Sequence, residues 1–373
     1  MMEIHGLRLL GQCDLNGRGD GMQLMTRGAY LYVGHMQPGR GTSILDVSDP
    51  RAPRQVGKLP DYAGTWSPKV QIAGDLMLVN YELRGAGQSE RAGLAIHDIS
   101  RPEAPREIAY LPIPHHGVHR MWWTGGRYAY LSAIPEGFNA RMLMVVDLAD
   151  PEHPREAGRW WLPGTKEGEP QDWPAGRKHN VHHPVVHGDR AYLGCWDAGM
   201  KVLDVSNVAA IREVGGVNWP AEQGGHTHTA MPLPGRGLCV VTDEATADDC
   251  QEVTKHVRVV SLADERNPRV LSTFPVPQGD YCARGGRFGP HNVHEHRPGA
   301  YRDENLIFVT YYNAGLRVVD ISDAAAPREV AWFVPDAPQG QRSCQINDVY
   351  VTPERIAYVS DRVNGGIWTL SLV

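Results

Sequence analysis

Short apolar runs, rich in β-branched and aromatic residues, recur along the whole chain and are separated by clusters of Gly, Pro, Asn, Asp and Ser. Runs of this length bounded by turn residues predict strands. No long stretch carries a helical period. Residues 118–123 show the pattern well: an apolar run meets the turn Thr124-Gly125-Gly126-Arg127 and a second run follows over 128–133. A third run over 142–148 ends in an Asp-Pro turn, and a fourth over 156–162 leads to a proline. The chain is expected to be all-β.

The runs are not independent. A phrase made of an apolar run, an Asp or Ser, an apolar residue and then Ser/Ala-Asp-x-x-x-Pro-Arg returns in variant forms. Copies lie at Ile44-Leu45-Asp46-Val47-Ser48-Asp49, Ala95-Ile96-His97-Asp98-Ile99-Ser100, Val145-Val146-Asp147-Leu148-Ala149-Asp150, Val202-Leu203-Asp204-Val205-Ser206, Val259-Val260-Ser261-Leu262-Ala263-Asp264 and Val318-Val319-Asp320-Ile321-Ser322-Asp323. A shortened copy, Trp368-Thr369-Leu370-Ser371-Leu372, ends the chain. Successive anchors at 46, 98, 147, 204, 261, 320 and 371 stand 49 to 59 residues apart. That period suits a four-stranded propeller blade with long loops. The last copy stops at its third strand, and Leu7-Arg8-Leu9-Leu10-Gly11-Gln12 matches the outer-strand phrase Pro53-Arg54-Gln55-Val56-Gly57-Lys58. The expected architecture is therefore a seven-bladed β-propeller forming one domain over 1–373, with blade seven made of about 346–373 plus 4–15. On the phrases Leu45-Asp46-Val47-Ser48-Asp49-Pro50 and Val318-Val319-Asp320-Ile321-Ser322, the chain resembles the LVIVD-repeat β-propeller proteins over nearly its whole length. The resemblance implies the fold and leaves the function open.

Equivalent positions of successive blades converge on a propeller's axis, so a residue type repeated at one position is informative. The chain has seventeen histidines, concentrated between 115 and 228 and again at 291–296. Four stretches recur: His116-Gly117-Val118-His119, His179-Asn180-Val181-His182, Gly225-His226-Thr227-His228 and His291-Asn292-Val293-His294. Their last residues, His119, His182, His228 and His294, are the expected metal ligands on four adjacent blades. Four converging imidazoles are costly to bury without a bound ion, and imidazole suits several transition metals. In the other blades the corresponding positions fall near Asn347, Gln23 and Lys69 or Val70. Such a centre leaves one side open to a substrate, as catalytic sites do. This set resembles, in arrangement only, the four-histidine iron site of carotenoid and stilbene cleavage oxygenases and the histidine-lined propellers of selenium-binding protein and methanethiol oxidase. The resemblance implies Fe(II) first, with Mn, Cu or Zn as alternatives. Oligogalacturonate lyase, another propeller with a histidine-rich metal site, implies that a similar arrangement can serve elimination.

Around this centre, His116, His179, His226, His291 and Glu244 are the candidate acids and bases. His115, His183 and His296 are expected to be bystanders. Asp197, Glu244 and Asp361, at the ends of second strands, are the expected carboxylates behind the ligands. Gln23, Lys69, Trp196, Tyr312, Asn347 and Arg287 are the expected substrate contacts. The loops 163–180 and 276–292 are the expected lids.

Composition narrows the function further. A net charge of −6 without a basic block argues against a nucleic-acid partner. No run reaches membrane-spanning length and no charged-then-apolar leader opens the chain, which favours a cytoplasmic protein with no membrane partner. Six cysteines without C-x-x-C spacing are expected to be reduced and buried rather than a disulfide framework. No G-x-S-x-G elbow, Walker A loop or dinucleotide fingerprint is present in a convincing context. The expectation is a metal-dependent enzyme acting on a small molecule, foremost a non-haem Fe(II) oxygenase. A Mn or Zn lyase or hydrolase on the same site, a non-catalytic propeller scaffold and a metal-storage protein are the alternatives. The oligomeric state is left open.

Overall fold

The computed structural model describes residues 2–60, 62–83 and 91–372 and is almost entirely β. The strands run as successive antiparallel meanders, which we number blades one to seven: 21–58, 70–112, 117–160, 179–217, 227–273, 291–334 and 346–372. In blade three the strands are Gly117–Trp122, Tyr128–Ile134, Met142–Asp147 and Arg155–Trp160. Leu7–Cys13 pairs antiparallel with Ile367–Leu372 and supplies the fourth strand of blade seven. Glu3–His5 adds to the outer edge of blade six through Arg328–Val334.

Burial explains why the sequence shows continuous apolar runs rather than strict alternation. Each blade is packed between two others, so its middle strands are covered on both faces. Leu31, Tyr32, Val33, Ile44 and Leu45 are fully buried in consecutive positions. The outer strand Arg106–Pro112 has only one covered side and reverts to a mixed pattern.

The repeated phrase has a local cause. The anchor carboxylate accepts the backbone N–H two residues on, as in Asp46 from Ser48 at 2.9 Å, Asp204 from Ser206 at 3.0 Å and Asp320 from Ser322 at 2.8 Å. Its other oxygen meets the arginine eight residues later, which begins the outer strand. Asp204–Arg212 and Asp320–Arg328 are both at 2.9 Å. The phrase thus encodes the turn between the third and fourth strands of a blade.

Cysteine usage departs from expectation at one place. Cys250 and Cys282 form a disulfide that ties the loop after Leu238–Asp243 to the short helix Tyr281–Arg284. The other four are free thiols, with Cys195, Cys239 and Cys344 buried. The spacing of 32 residues carries no motif, so only the fold brings the pair together. No helix among the described residues is long and apolar enough to cross a membrane.

Candidate metal centre

The axial side chains are placed by β-bulges. In blade three, Val118 faces Ala133 and Arg120 faces Ser132, so His119 is the extra residue. In blade five, Thr227 faces Asp243 and Thr229 faces Thr242, so His228 is extra. In blade seven, Ile346 faces Asp361 and Asp348 faces Ser360, which makes Asn347 extra. A bulge re-aims one side chain out of the pleat, and here it points the extra residue at the axis. The same register puts His182 at this position in blade four, Met22 in blade one and Pro68 in blade two.

Neighbouring blades latch these bulges. The second-strand residue opposite each bulge reaches the next blade's inner segment: Ser132 Oγ donates to Val181 O at 2.7 Å and Thr242 Oγ1 to His291 O at 2.9 Å. Thr310 Oγ1 donates to Asn347 O at 3.0 Å, Ser360 Oγ to Met22 O at 2.9 Å and Asn80 Nδ2 to Val118 O at 2.8 Å. At Gly194 the approach is so close that a Cβ would strike the carbonyl oxygen of His228. Glycine is needed there for contact, not for an unusual φ.

Blade six corrects the expected ligand set. Thr310 holds the latch position and its N–H donates to Asn292 O at 2.8 Å, while His291 N–H donates to Thr310 O at 2.9 Å. Counted from Thr310, His291 and not His294 is the bulge residue. The ring of His291 lies 4.4 Å from that of His228, centroid to centroid, continuing a chain in which His119–His182 is 4.7 Å and His182–His228 is 4.2 Å. His294 is turned away from the cavity, with Nε2 on Tyr301 O at 2.9 Å and Nδ1 accepting Val351 N–H at 3.2 Å.

Hydrogen bonds fix where the ring protons sit. His119 Nδ1 faces Glu82 Oε2 at 2.9 Å and His291 Nδ1 faces Asn347 O at 2.8 Å, so both Nδ1 atoms carry the proton and both Nε2 atoms the lone pair. His228 Nε2 is 3.4 Å from Arg120 Nη1, and because arginine only donates, this nitrogen also presents its lone pair. His228 Nδ1 bonds Thr229 Oγ1 at 2.7 Å. His182 Nε2 stands 2.9 Å from His119 Nε2, and its buried Nδ1 has no partner. Glu244 closes the group, 3.9 Å from His182 Nε2 and 3.8 Å from His291 Nε2. His182, His228 and Glu244 can bring one donor atom each within 4.8 Å of one another. Burial holds His182, His228 and His291 well below the usual histidine range, so they are neutral and can donate electron pairs.

The donor set fits a divalent transition ion. Two imidazole nitrogens bound cis on an octahedral ion with bonds of about 2.1 Å would be ~3.0 Å apart, close to the His119–His182 spacing of 2.9 Å. Converging lone pairs repel unless a proton or cation lies between them.

A second ring of equivalent residues, two beyond the latch on each second strand, comprises Met36, Glu82, Ile134, Trp196, Glu244, Tyr312 and Arg362. Of these, Ile134, Trp196, Glu244 and Arg362 line the cavity. Trp196 stacks between His182 at 5.2 Å and His226 at 4.6 Å, turned by a left-handed backbone (φ 56°). Tyr312, also left-handed (φ 44°), donates its hydroxyl to Glu244 Oε1 at 3.0 Å. The cavity holds about 480 Å³, within the range of small-molecule sites.

Several expected site residues stand elsewhere. Asp361 is one residue short of Arg362 and therefore on the other side of the pleat, where it accepts Gln345 N–H at 2.8 Å and Val363 N–H at 2.6 Å. Asp197 accepts Lys178 N–H at 2.8 Å and touches no ring of the cluster. Glu82 takes the place given to them. His116, His179 and His226 do not line the cavity. His116 packs edge-on against His115 at 4.4 Å, and His179 lies against Trp173 at 4.5 Å. Gln23 and Asn347 are buried between blades, Gln23 accepting Val70 N–H at 3.0 Å, while Lys69, Trp196 and Arg287 do line the cavity. His183 is no bystander. Below His182 it faces Glu295 at 3.4 Å, in a buried polar plug with Arg120 and Arg297 that fills the axis.

Comparison with known proteins agrees with this architecture. Residues 18–60, 181–218 and 303–333 match the LVIVD repeat. No curated protein matches the chain in sequence. Among solved structures it is similar to the periplasmic gluconolactonase of Pseudomonas aeruginosa (TM-score 0.60, 11% identity, 91% of this chain and 93% of that one). It is likewise similar to a hypothetical selenium-binding protein of Sulfolobus tokodaii (TM-score 0.59, 12% identity, 96% and 82%). A third similarity is to the Cps50 (Swd1) β-propeller domain of Myceliophteria thermophila (TM-score 0.57, 13% identity, 98% and 100%). At these identities the likeness is one of fold. The chain is a β-propeller that carries LVIVD repeats.

Proposed function

We propose that this protein is a metal-dependent enzyme acting on a small molecule in the axial cavity, with His119, His182, His228, His291 and Glu244 around the ion. The observation that carries the reading is the convergence of imidazole lone pairs on one walled cavity, with Nδ1–H groups engaged behind them by Glu82 and Asn347. Neutral imidazoles suit Fe(II), Mn, Cu or Zn, and we favour Fe(II) and an oxygenase. When bound, such an ion supplies Lewis acidity and, for iron, redox chemistry with dioxygen.

The protein's own groups have distinct tasks. Glu82 orients His119 through its Nδ1–H, and Asn347 O does the same for His291. Trp196 packs over His182 and shields it from water. Among the described residues Glu244 is the one carboxylate lining the cavity, held by Tyr312 Oη at 3.0 Å and Arg287 at 3.2 Å, so it can ligate or take a proton at Oε2. That carboxylate favours a second reading, a Mn or Zn lyase or hydrolase in which Glu244 is the base.

Metal analysis of tag-free protein beside His182→Ala tests the centre. Near-stoichiometric metal lost in the variant is expected. No metal in either sample, even after anaerobic reconstitution, would sink the proposal and leave the non-catalytic scaffold. Oxygen consumption during turnover then separates the oxygenase from the lyase or hydrolase.

A further inference from the structure

The cavity's charge is opposite to that of the protein. Lys69, Arg141, Lys178, Arg287 and Arg362 all line it, against the single carboxylate, Glu244, that lines it among the described residues, in a chain of net charge −6. They come from different elements: Lys69 follows the blade-two bulge, Arg362 stands in the second ring, and Arg141, Lys178 and Arg287 lie on loops. Two are answered by carboxylates, Arg141 by Glu82 at 3.5 Å and Arg287 by Glu244 at 3.2 Å. For Lys69, Lys178 and Arg362, no carboxylate stands within ion-pair distance among the described residues. Arg287 and Arg362 both stand 5.6 Å from the Tyr312 ring, and Arg362 Nη1 is 3.3 Å from its hydroxyl. Of these two guanidinium groups, Arg287 is in direct ion-pair contact with Glu244.

Converging cations in a partly desolvated cavity raise one another's cost unless an anion joins them. A metal ion on the histidines would add to the excess. Planar guanidinium groups bind carboxylate and phosphate oxygens through paired N–H donors. Met22, Trp66 and Ile134 supply an apolar wall in the same cavity.

We propose that the cavity binds a small organic oxyanion, bearing a carboxylate or phosphate, through Arg362, Lys178 and Lys69, with Arg141 and Arg287 flanking it. This rests on the metal-enzyme reading for the substrate's role, but the binding itself does not need the ion.

The test is calorimetric titration of the full chain, as purified and after chelation, at fixed ionic strength. Succinate and inorganic phosphate are the probes and succinamide is the neutral counterpart. One-to-one binding of either anion is expected in both preparations, with succinamide at least about tenfold weaker. A preference for succinate or for phosphate identifies the oxyanion. Arg362→Gln with Lys178→Gln should weaken the anion by about tenfold or more, and Arg362→Lys should restore part of it. Lys178 is exposed, so Lys178→Gln alone keeps the test valid if the double variant fails to fold. Absent anion binding in both preparations, or binding unchanged by the variants, overturns the inference. A chain that binds the anion but never a metal upholds it and fails the proposed function instead.

Discussion

The two halves of the ring use one backbone position in opposite ways. In blades three to six the residue aimed at the axis is His119, His182, His228 or His291, and each lines the cavity. In blades seven, one and two it is Asn347, Met22 or Pro68, and there the groups serve the fold. Asn347 O accepts from His291 Nδ1, Asn292 Nδ2 and Thr310 Oγ1, and Met22 O accepts from Ser360. The latches are alike on both sides, so the scaffold does not decide where the chemistry is. Side-chain identity at the bulge decides it, and the histidine-free half leaves room for a ligand beside the cluster.

The strongest way to break this contrast is to remove one residue from each half. His182→Ala should abolish metal binding, while Met22→Ala should leave metal content unchanged by elemental analysis. Equal loss in both would show that the halves do not differ. The two histidines of blade six sharpen the point. His291→Ala is expected to deplete the metal. His294→Ala should keep it but destabilise the fold by about 3 kcal/mol, since it leaves a void and strands Val351 N–H and Tyr301 O. Metal content and urea unfolding on both variants read the two effects separately.

That pair also shows how far the sequence was legible. The apolar runs, the anchor phrase and the two ends led to the propeller and to the terminal strand that completes blade seven, because periodicity and turn chemistry are local. His119, His182 and His228 could be placed by the same means. The fourth position does not follow from the letters, because 179–182 and 291–294 share H-N-V-H while their registers differ. A signal was present. The residue two beyond each axial histidine is Met121, Pro184, Ala230 or Val293, whereas His294 is followed by Glu295 and His296. Arg362 and not Asp361 faces the cavity for a related reason, since one residue in a strand exchanges the two faces. Arg141 and the Cys250–Cys282 pairing needed the fold, because their partners lie on other blades or loops.

A smaller effect tests the support behind the histidine half. Glu82→Gln keeps the volume and an acceptor for His119 Nδ1–H but removes the charge. Metal affinity is expected to fall by about 10- to 100-fold, as when other carboxylates behind ligand histidines are replaced. The matching change behind Asn347 is Thr310→Val, which deletes a latch to its carbonyl while His291 still donates there. It should cost about 1 kcal/mol of stability and change affinity less than Glu82→Gln does. The reverse order, by competition with a chromogenic chelator, would place the supporting role in the other half.

The smallest expected effect separates buried histidines that serve the fold from those that serve the site. Burial lowers His294 to about 3 and His97 to about 4, and neither lines the cavity. Both are neutral in the folded chain at neutral pH, whereas in the unfolded chain they take up a proton below about 6.5. The unfolded state then binds more protons, so stability is full above about 6.5 and falls as pH drops toward 4 and 3. Each contributes a loss of about 2 kcal/mol at pH 5. In chelated protein the axial His182, His228 and His291 have the same sign and add to that loss. Urea unfolding of chelated protein at pH 7.5 and pH 5 reads the sum, and His294→Gln and His182→Gln divide it. Removing His294 should flatten the pH dependence without touching the metal, and removing His182 should flatten it while abolishing metal binding. A stability that does not change across this range would mean that these imidazoles are not held neutral, and the distinction between structural and axial histidines would lose its electrostatic basis.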